Sequence, residues 1–176
     1  MAFVSSSMLG VDLNNANTTQ QFALNTKVLG SDNSEWQYVI ATAALTTGQI
    51  VNVFPGGTAI ALTTAMLGGA GTAGMTGSLD LGVAQFPISS SLYGFVAKRG
   101  TNLQVAVSGT CPIGLAAGYS FAGDALVTAG LAVASTALGF FPYTSGASAN
   151  GGATAGRSIM LATLVYPRAA GGIPGM

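Results

Sequence analysis

Trp36, Tyr38 and Ile40 alternate with Gln37 and Val39, a two-residue period that predicts a strand opening just after the turn-prone GSDNSE at 30–35. Structure is expected to begin near Lys27, where KVLG leads into that turn. QIVNVF at 49–54 gives a second strand, closed by Pro55-Gly56-Gly57, with TAIALTT at 58–64 as its hairpin partner. Leu79–Ile88 reads as another strand. SLYGFVAKRGTNLQVAVSGT then supplies two more, with Lys98-Arg99-Gly100-Thr101-Asn102 as the turn between them and Leu103, Val105 and Val107 alternating with Gln104 and Ala106. Short strands follow at Gly118–Ala122, Ala125–Ala129 and Leu138–Tyr143, and a last one at Ile159–Tyr166 is stopped by Pro167. A helix over Ala125–Leu138 is the alternative there, at the cost that Gly130 imposes inside a helix.

The first residues lack a clear period and are rich in Asn, Thr, Ser and Gln. They predict an extended N-terminal arm over 1–26, a β-rich domain over 27–168 and a flexible tail over 169–176. Runs of Gly, Ala, Ser and Thr at 66–78 and 144–156 carry too little side-chain mass for a core and read as loops. Turn signals about 8 to 12 residues apart predict a mainly β fold, an antiparallel β-sandwich or a small β-barrel.

Composition then narrows the function. Hydrophobic residues make up 49% of the 176-residue chain and charged ones 6%, against roughly 25% charged in ordinary soluble domains. Five acidic residues balance five basic ones, so neither net charge nor a basic stripe is available for nucleic acid, and no nucleic-acid partner is expected. Apolar, charge-poor surface marks an interaction face, and the chain is expected to cover it by assembly.

The stretches 36–79 and 125–156 carry no charge, yet Ala125–Phe141 is mostly small residues and Thr and ends at Pro142, so no membrane helix is expected. MAFVSSSMLGVDLNNANTTQQ has no basic start or continuous apolar core, and export by a signal peptide is not expected. A membrane β-barrel remains a competing class, because alternating strands with few charges also suit lipid.

Candidate chemistry is sparse. There is no histidine, which removes His-dependent triads and metal sites, and Cys111 stands alone as a small buried residue. Gly69-Ala70-Gly71-Thr72-Ala73-Gly74 matches the dinucleotide fingerprint formally, but Gly77 interrupts the required helix and no acid follows at the ribose position. Asp32, Ser34 and Glu35 offer oxygens, but a capped turn accounts for them better than calcium, which takes six to eight ligands. No catalytic, cofactor-binding or metal residue is assigned, and the chain is not expected to be an enzyme. Lys98-Arg99, the only dibasic pair, reads first as a solvated hairpin tip. Trp36, Tyr38, Tyr93 and Phe95 read first as core or sheet-face packing. All six are interface candidates in second place.

GSDNSEWQYVIA at 30–41, LGVAQFPISSSLYGFVAKRGTNLQV at 81–105 and LATLVYP at 161–167 occur in an order that resembles the head-decoration, or cement, proteins of tailed bacteriophages. The resemblance spans about Lys27 to Pro167. It implies a β-sandwich or β-barrel subunit made in the host cytoplasm that binds the major capsid protein on the outside of the head. It also implies a symmetric homo-oligomer, a trimer being favoured, that clamps neighbouring coat subunits without chemistry. A fibre, spike or minor coat component is the alternative that the same composition permits.

Overall fold

The computed structural model describes residues 12–30, 32–63, 66, 79–108, 119–122, 125–128, 135–142 and 157–171, among which there is no helix. The fold is mainly β. Its strands are β1 (Lys27–Leu29), β2 (Glu35–Ala41), β3 (Ile50–Val53), β4 (Thr58–Ala61), β5 (Leu81–Ala84), β6 (Tyr93–Ser108), β7 (Tyr119–Ala122), β8 (Ala125–Thr128), β9 (Ser135–Pro142) and β10 (Arg157–Gly171).

The ladders return on themselves. β2 pairs β4, β4 pairs β3, β3 pairs β5, β5 pairs β6, and β6 pairs β2 again. All of these are antiparallel except β2–β4, in which Ile40 faces Thr58. A second circuit leaves β6 through β10, β9, β7 and β8 and meets β6 again at Val107↔Leu126. β6 therefore belongs to both circuits, its first half to one and its second half to the other.

The hairpin expected at Pro55-Gly56-Gly57 is present: β3 and β4 pair with Val51 opposite Ala61, and Gly57 takes φ +79, the left-handed conformation that a residue with a Cβ reaches at a cost. The hairpin expected at Lys98–Asn102 is not. Those residues lie inside the single strand β6, and their turn-forming chemistry makes bulges instead. Between Ala162↔Leu103 and Leu164↔Gly100, Thr101 and Asn102 oppose Thr163 alone, and Asn102 sits at φ +57. Between Trp36↔Ala97 and Glu35↔Arg99, Lys98 is the extra residue against β2. The two bulges bend β6 where it passes from one circuit to the other.

Pro167 likewise does not end its strand. β10 continues to Gly171, and Val165, Tyr166 and Pro167 oppose only Gly139 where the register shifts against β9. Residues 169–171, expected in the tail, pair with Ala137, Thr136 and Ser135. Leu79–Ile88 yields the shorter β5, after which Ile88 makes a lone bridge to Leu45. Ala125–Leu138 is not one helix, since β8 and the start of β9 occupy its ends. Residues 1–11, the loops at 67–78 and 144–156, the Gly69–Gly74 motif and Cys111 lie outside the described residues.

Both faces of the first circuit are buried. Trp36, Tyr38, Ile50, Leu81, Val83, Phe95 and Ala97 form one cluster with Leu103, Val105, Ala162 and Leu164, which ties the two circuits together. Val39, Ala41, Val51, Val53, Ala59, Ala84 and Val96, smaller on average, form a second on the opposite face. The described part of the arm is docked on the first cluster: Leu13 is buried in it, and Phe22 and Leu24 pack against it. Asn17 exchanges backbone hydrogen bonds with Tyr93 at 2.8 and 2.9 Å.

Candidate functional site

The side chains singled out from sequence converge on β2 and β6, which lie side by side with Tyr38 opposite Phe95 and Ile40 opposite Tyr93. Tyr38 is the hub. Its ring meets Phe22 edge-on at 5.3 Å, Phe95 at 4.9 Å and Tyr93 in a stacked arrangement at 6.1 Å, and its hydroxyl accepts the Gln21 N–H at 3.0 Å. Trp36 is buried and donates its indole N–H to Ser34 Oγ at 2.7 Å. Ser34 Oγ donates in turn to Asp32 Oδ1 at 2.5 Å, so Asp32 and Ser34 act within the turn before β2 and orient the tryptophan. Trp36, Tyr38 and Phe95 are thus committed to the chain's own core, and Tyr93 is half-buried at its margin.

Lys98 and Arg99 part company. Lys98 is no solvated tip: its side chain is 3% exposed, and its ammonium donates to Asp80 Oδ1 at 2.5 Å and to the Leu81 carbonyl at 2.6 Å. Gly82 makes room for it, since a Cβ there would lie 3.3 Å from Lys98 Cδ. The adjacent Arg99 guanidinium turns back to the Asn33 carbonyl at 3.2 Å and to Asn33 Oδ1 at 2.7 Å, in the turn before β2. Lys27 and Glu35 form a further pair at 3.0 Å between β1 and β2.

Among the described residues, two buried side chains that the sequence did not single out leave an oxygen without a partner. Gln37, on a strand face that alternation alone marks as polar, is 4% exposed, gives its amide N–H to Asn25 Oδ1 and leaves Oε1 without a partner. Asn52, between Ile60 and Leu81 on neighbouring strands, leaves Oδ1 in the same state. Their sequence neighbours carry no signal of this, because it depends on which strand lies across.

Burial pushes the Lys98 amine below its ordinary value of 10.5, Lys27 adds to this, and the Asp80 hydrogen bond and charge oppose it. The unfolded chain therefore holds a proton that the folded chain has released in the window just below pH 10.5, so stability rises with pH through that window. Below the lowered value both states are protonated and this contribution is flat. Lys98→Met is expected to lack this rise, which is bounded by about 1.4 kcal/mol per pH unit. Urea denaturation of both proteins between pH 8 and 10.5 checks it, and parallel curves would refute it.

Chemically the arrangement braces the fold. Among the described residues no group of three or more His, Cys, Asp or Glu converges as a metal site, and no helix is long and apolar enough to cross a membrane. Leu29 on β1, 62% exposed, is the large hydrophobic side chain that those residues present to solvent. Compared with protein-family models, curated proteins and solved structures, the chain matches none.

Proposed function

We propose that this chain is a structural virion protein that binds the outer surface of an assembled capsid and stabilises the head by bridging major-capsid-protein subunits, working as a homo-oligomer, with a trimer favoured. The observation that carries the reading is how the few charges are used. Lys27 pairs with Glu35, Lys98 with Asp80, and Arg99 holds Asn33, while Asp12 and Asp32 accept hydrogen bonds from Asn14, Asn15 and Ser34 within their own turns. Among the described side chains of this 6%-charged chain, charge is largely satisfied within the chain, which leaves apolar and uncharged polar groups to meet a partner.

The decoration reading adds the order of the EWQYVIA, LGVAQF and LATLVYP segments, whose resemblance to cement proteins points to the capsid exterior. No chemical step is involved. Each copy would clamp adjacent coat subunits by shape and apolar contact, and closed symmetry would repeat the same contact around a capsid axis.

Light scattering of the purified chain in detergent-free buffer, together with cosedimentation with expanded phage heads, tests this. A defined oligomer that pellets with heads and saturates at a fixed ratio to coat subunits is expected. A soluble monomer that stays in the supernatant would overturn the proposal, and a chain soluble only in detergent would replace it with a membrane β-barrel.

A further inference from the structure

The two strand circuits are built to one plan. In chain order the strands of the first are β2, β3, β4, β5 and the first half of β6, and those of the second are the second half of β6, β7, β8, β9 and β10. In the first circuit the first strand pairs with the third in parallel, while third with second, second with fourth, fourth with fifth and fifth with first are antiparallel. The second circuit has the same pairings in the same senses. Closure of five strands does not by itself dictate this order.

The registers agree residue by residue as well. Trp36 to Ile40 of β2 face Ala97 to Tyr93 of β6 in unbroken antiparallel order, and Leu103 to Val107 of β6 face Ala162 to Ser158 of β10 in the same way. Each ladder shifts register just before the first of these residues, Trp36 in one and Leu103 in the other. The partner at that point is a fully buried alanine in both, Ala97 and Ala162, and all four side chains lie in one cluster. A glutamine follows, Gln37 or Gln104. Three residues further on, Ile40 and Val107 make the parallel contacts, with Thr58 and Leu126.

The edge beside the first strand is filled in both circuits, by different means. β1 lies along β2 next to Trp36 and Gln37. Along the second half of β6 the Gln85 side chain takes that place: its Nε2 donates to the Gln104 carbonyl at 3.0 Å and its Oε1 accepts the Gln104 N–H at 2.9 Å, as a neighbouring strand would. The Gly48 carbonyl accepts the Ala106 N–H at 2.8 Å, two residues on. The first circuit thus gives the second what the arm gives the first.

We propose that the chain is a tandem repeat of one five-stranded unit, with β6 as the last strand of the first copy and the first strand of the second, and that the repeat is what bridges: each copy sets the same contact on one of two neighbouring, identical coat subunits. The bridging part rests on the decoration reading above. A symmetric shell of identical subunits offers one site many times over. Two like units in one chain engage two such sites, the second at the raised effective concentration that the first contact creates.

Two measurements separate the parts. In a Cys111→Ser background, Ile40→Cys with Thr58→Cys, and Val107→Cys with Leu126→Cys, should each lose both free thiols under a glutathione redox couple, because each pair stands directly opposite on parallel strands. Thr58→Cys with Val107→Cys, which crosses the two units, should stay reduced. Either matched pair staying reduced, or the crossed pair closing, overturns the repeat. Interstrand nuclear Overhauser effects at the same residues of the unaltered chain decide it where a cysteine variant does not fold. Cosedimentation with expanded heads reads the bridge, and saturation at about one chain per two coat subunits is expected. One chain per coat subunit would overturn the bridge and leave a decoration protein. A chain that crosslinks as expected but stays in the supernatant would remove the decoration reading, and the bridge with it, and leave the repeat.

Discussion

Replacing Trp36 with alanine is expected to remove about 3–5 kcal/mol of folding stability, the range for deleting a large buried aromatic side chain. The indole is 1% exposed and sits in the cluster that joins Phe95, Leu103, Val105 and Leu164, so the cavity would open where the two strand circuits share their core. The loss has a polar component as well. Ser34 Oγ accepts the indole N–H and donates to Asp32, so the turn that starts β2 loses the group that orients it. Against a total stability of about 5–15 kcal/mol for an ordinary domain, the variant should be marginal at 37 °C.

Trp36→Phe separates the terms, since it keeps most of the ring volume and deletes the N–H; it should cost about 1–2 kcal/mol. Because Trp36 is the only tryptophan, urea denaturation has to be followed by circular dichroism. A loss below about 1 kcal/mol for alanine would mean that the site collapses freely and that this cluster does not hold the circuits together.

The same residues show what alternation can and cannot report. Trp36 and Tyr38 marked β2 correctly because an apolar side chain at every second position has one economical conformation. Alternation says nothing of how Gln37 is covered, and it is buried, because Val39 and Ala41 on its face belong to a second core. A strand covered on both sides hides the identity of its second face from a local pattern. Composition errs in a related way at Lys98–Asn102. Gly100 and Asn102 do take positive φ, as a turn requires, but a bulge uses the same conformations as a hairpin. Which of the two forms depends on whether β10 lies alongside to continue the ladder, and that partner is more than fifty residues away in sequence.

The charged pairs were invisible for the same reason. Lys98 lies on β6 and Asp80 just before the adjacent β5, and nothing within a few residues of either distinguishes a buried lysine from one at a solvated tip. Gly82, whose missing side chain leaves room for the lysine stem, is the local trace of that arrangement, and in a chain with 26 glycines it does not stand out. The polar composition of the arm gives no sign of where it lies; in its described part Leu13 is buried in the aromatic cluster and Phe22 and Leu24 pack against it.

Gly48→Ala is the second large effect expected, about 2–4 kcal/mol, from a position whose sequence context, Thr47-Gly48-Gln49, shows only an ordinary turn. Gly48 takes φ +79, where an alanine is strained by about 1–2 kcal/mol. Its Cβ would also stand 2.9 Å from the Ala106 nitrogen and 3.3 Å from the Val105 carbonyl carbon, both backbone atoms that no rotamer change can move aside. That nitrogen donates to the Gly48 carbonyl at 2.8 Å, while the Gly48 N–H donates to the Ala84 carbonyl at 2.7 Å. One residue therefore pins the second half of β6 to the end of β5. A side chain there pushes on the half of β6 that carries β10, so the damage should reach the second circuit. Gly48→Asn divides the causes, because asparagine tolerates the left-handed conformation but keeps the Cβ. If close approach dominates, Asn and Ala lower the urea midpoint alike; if Asn restores most of the loss, backbone strain alone explains the glycine and the contact with Ala106 can relax.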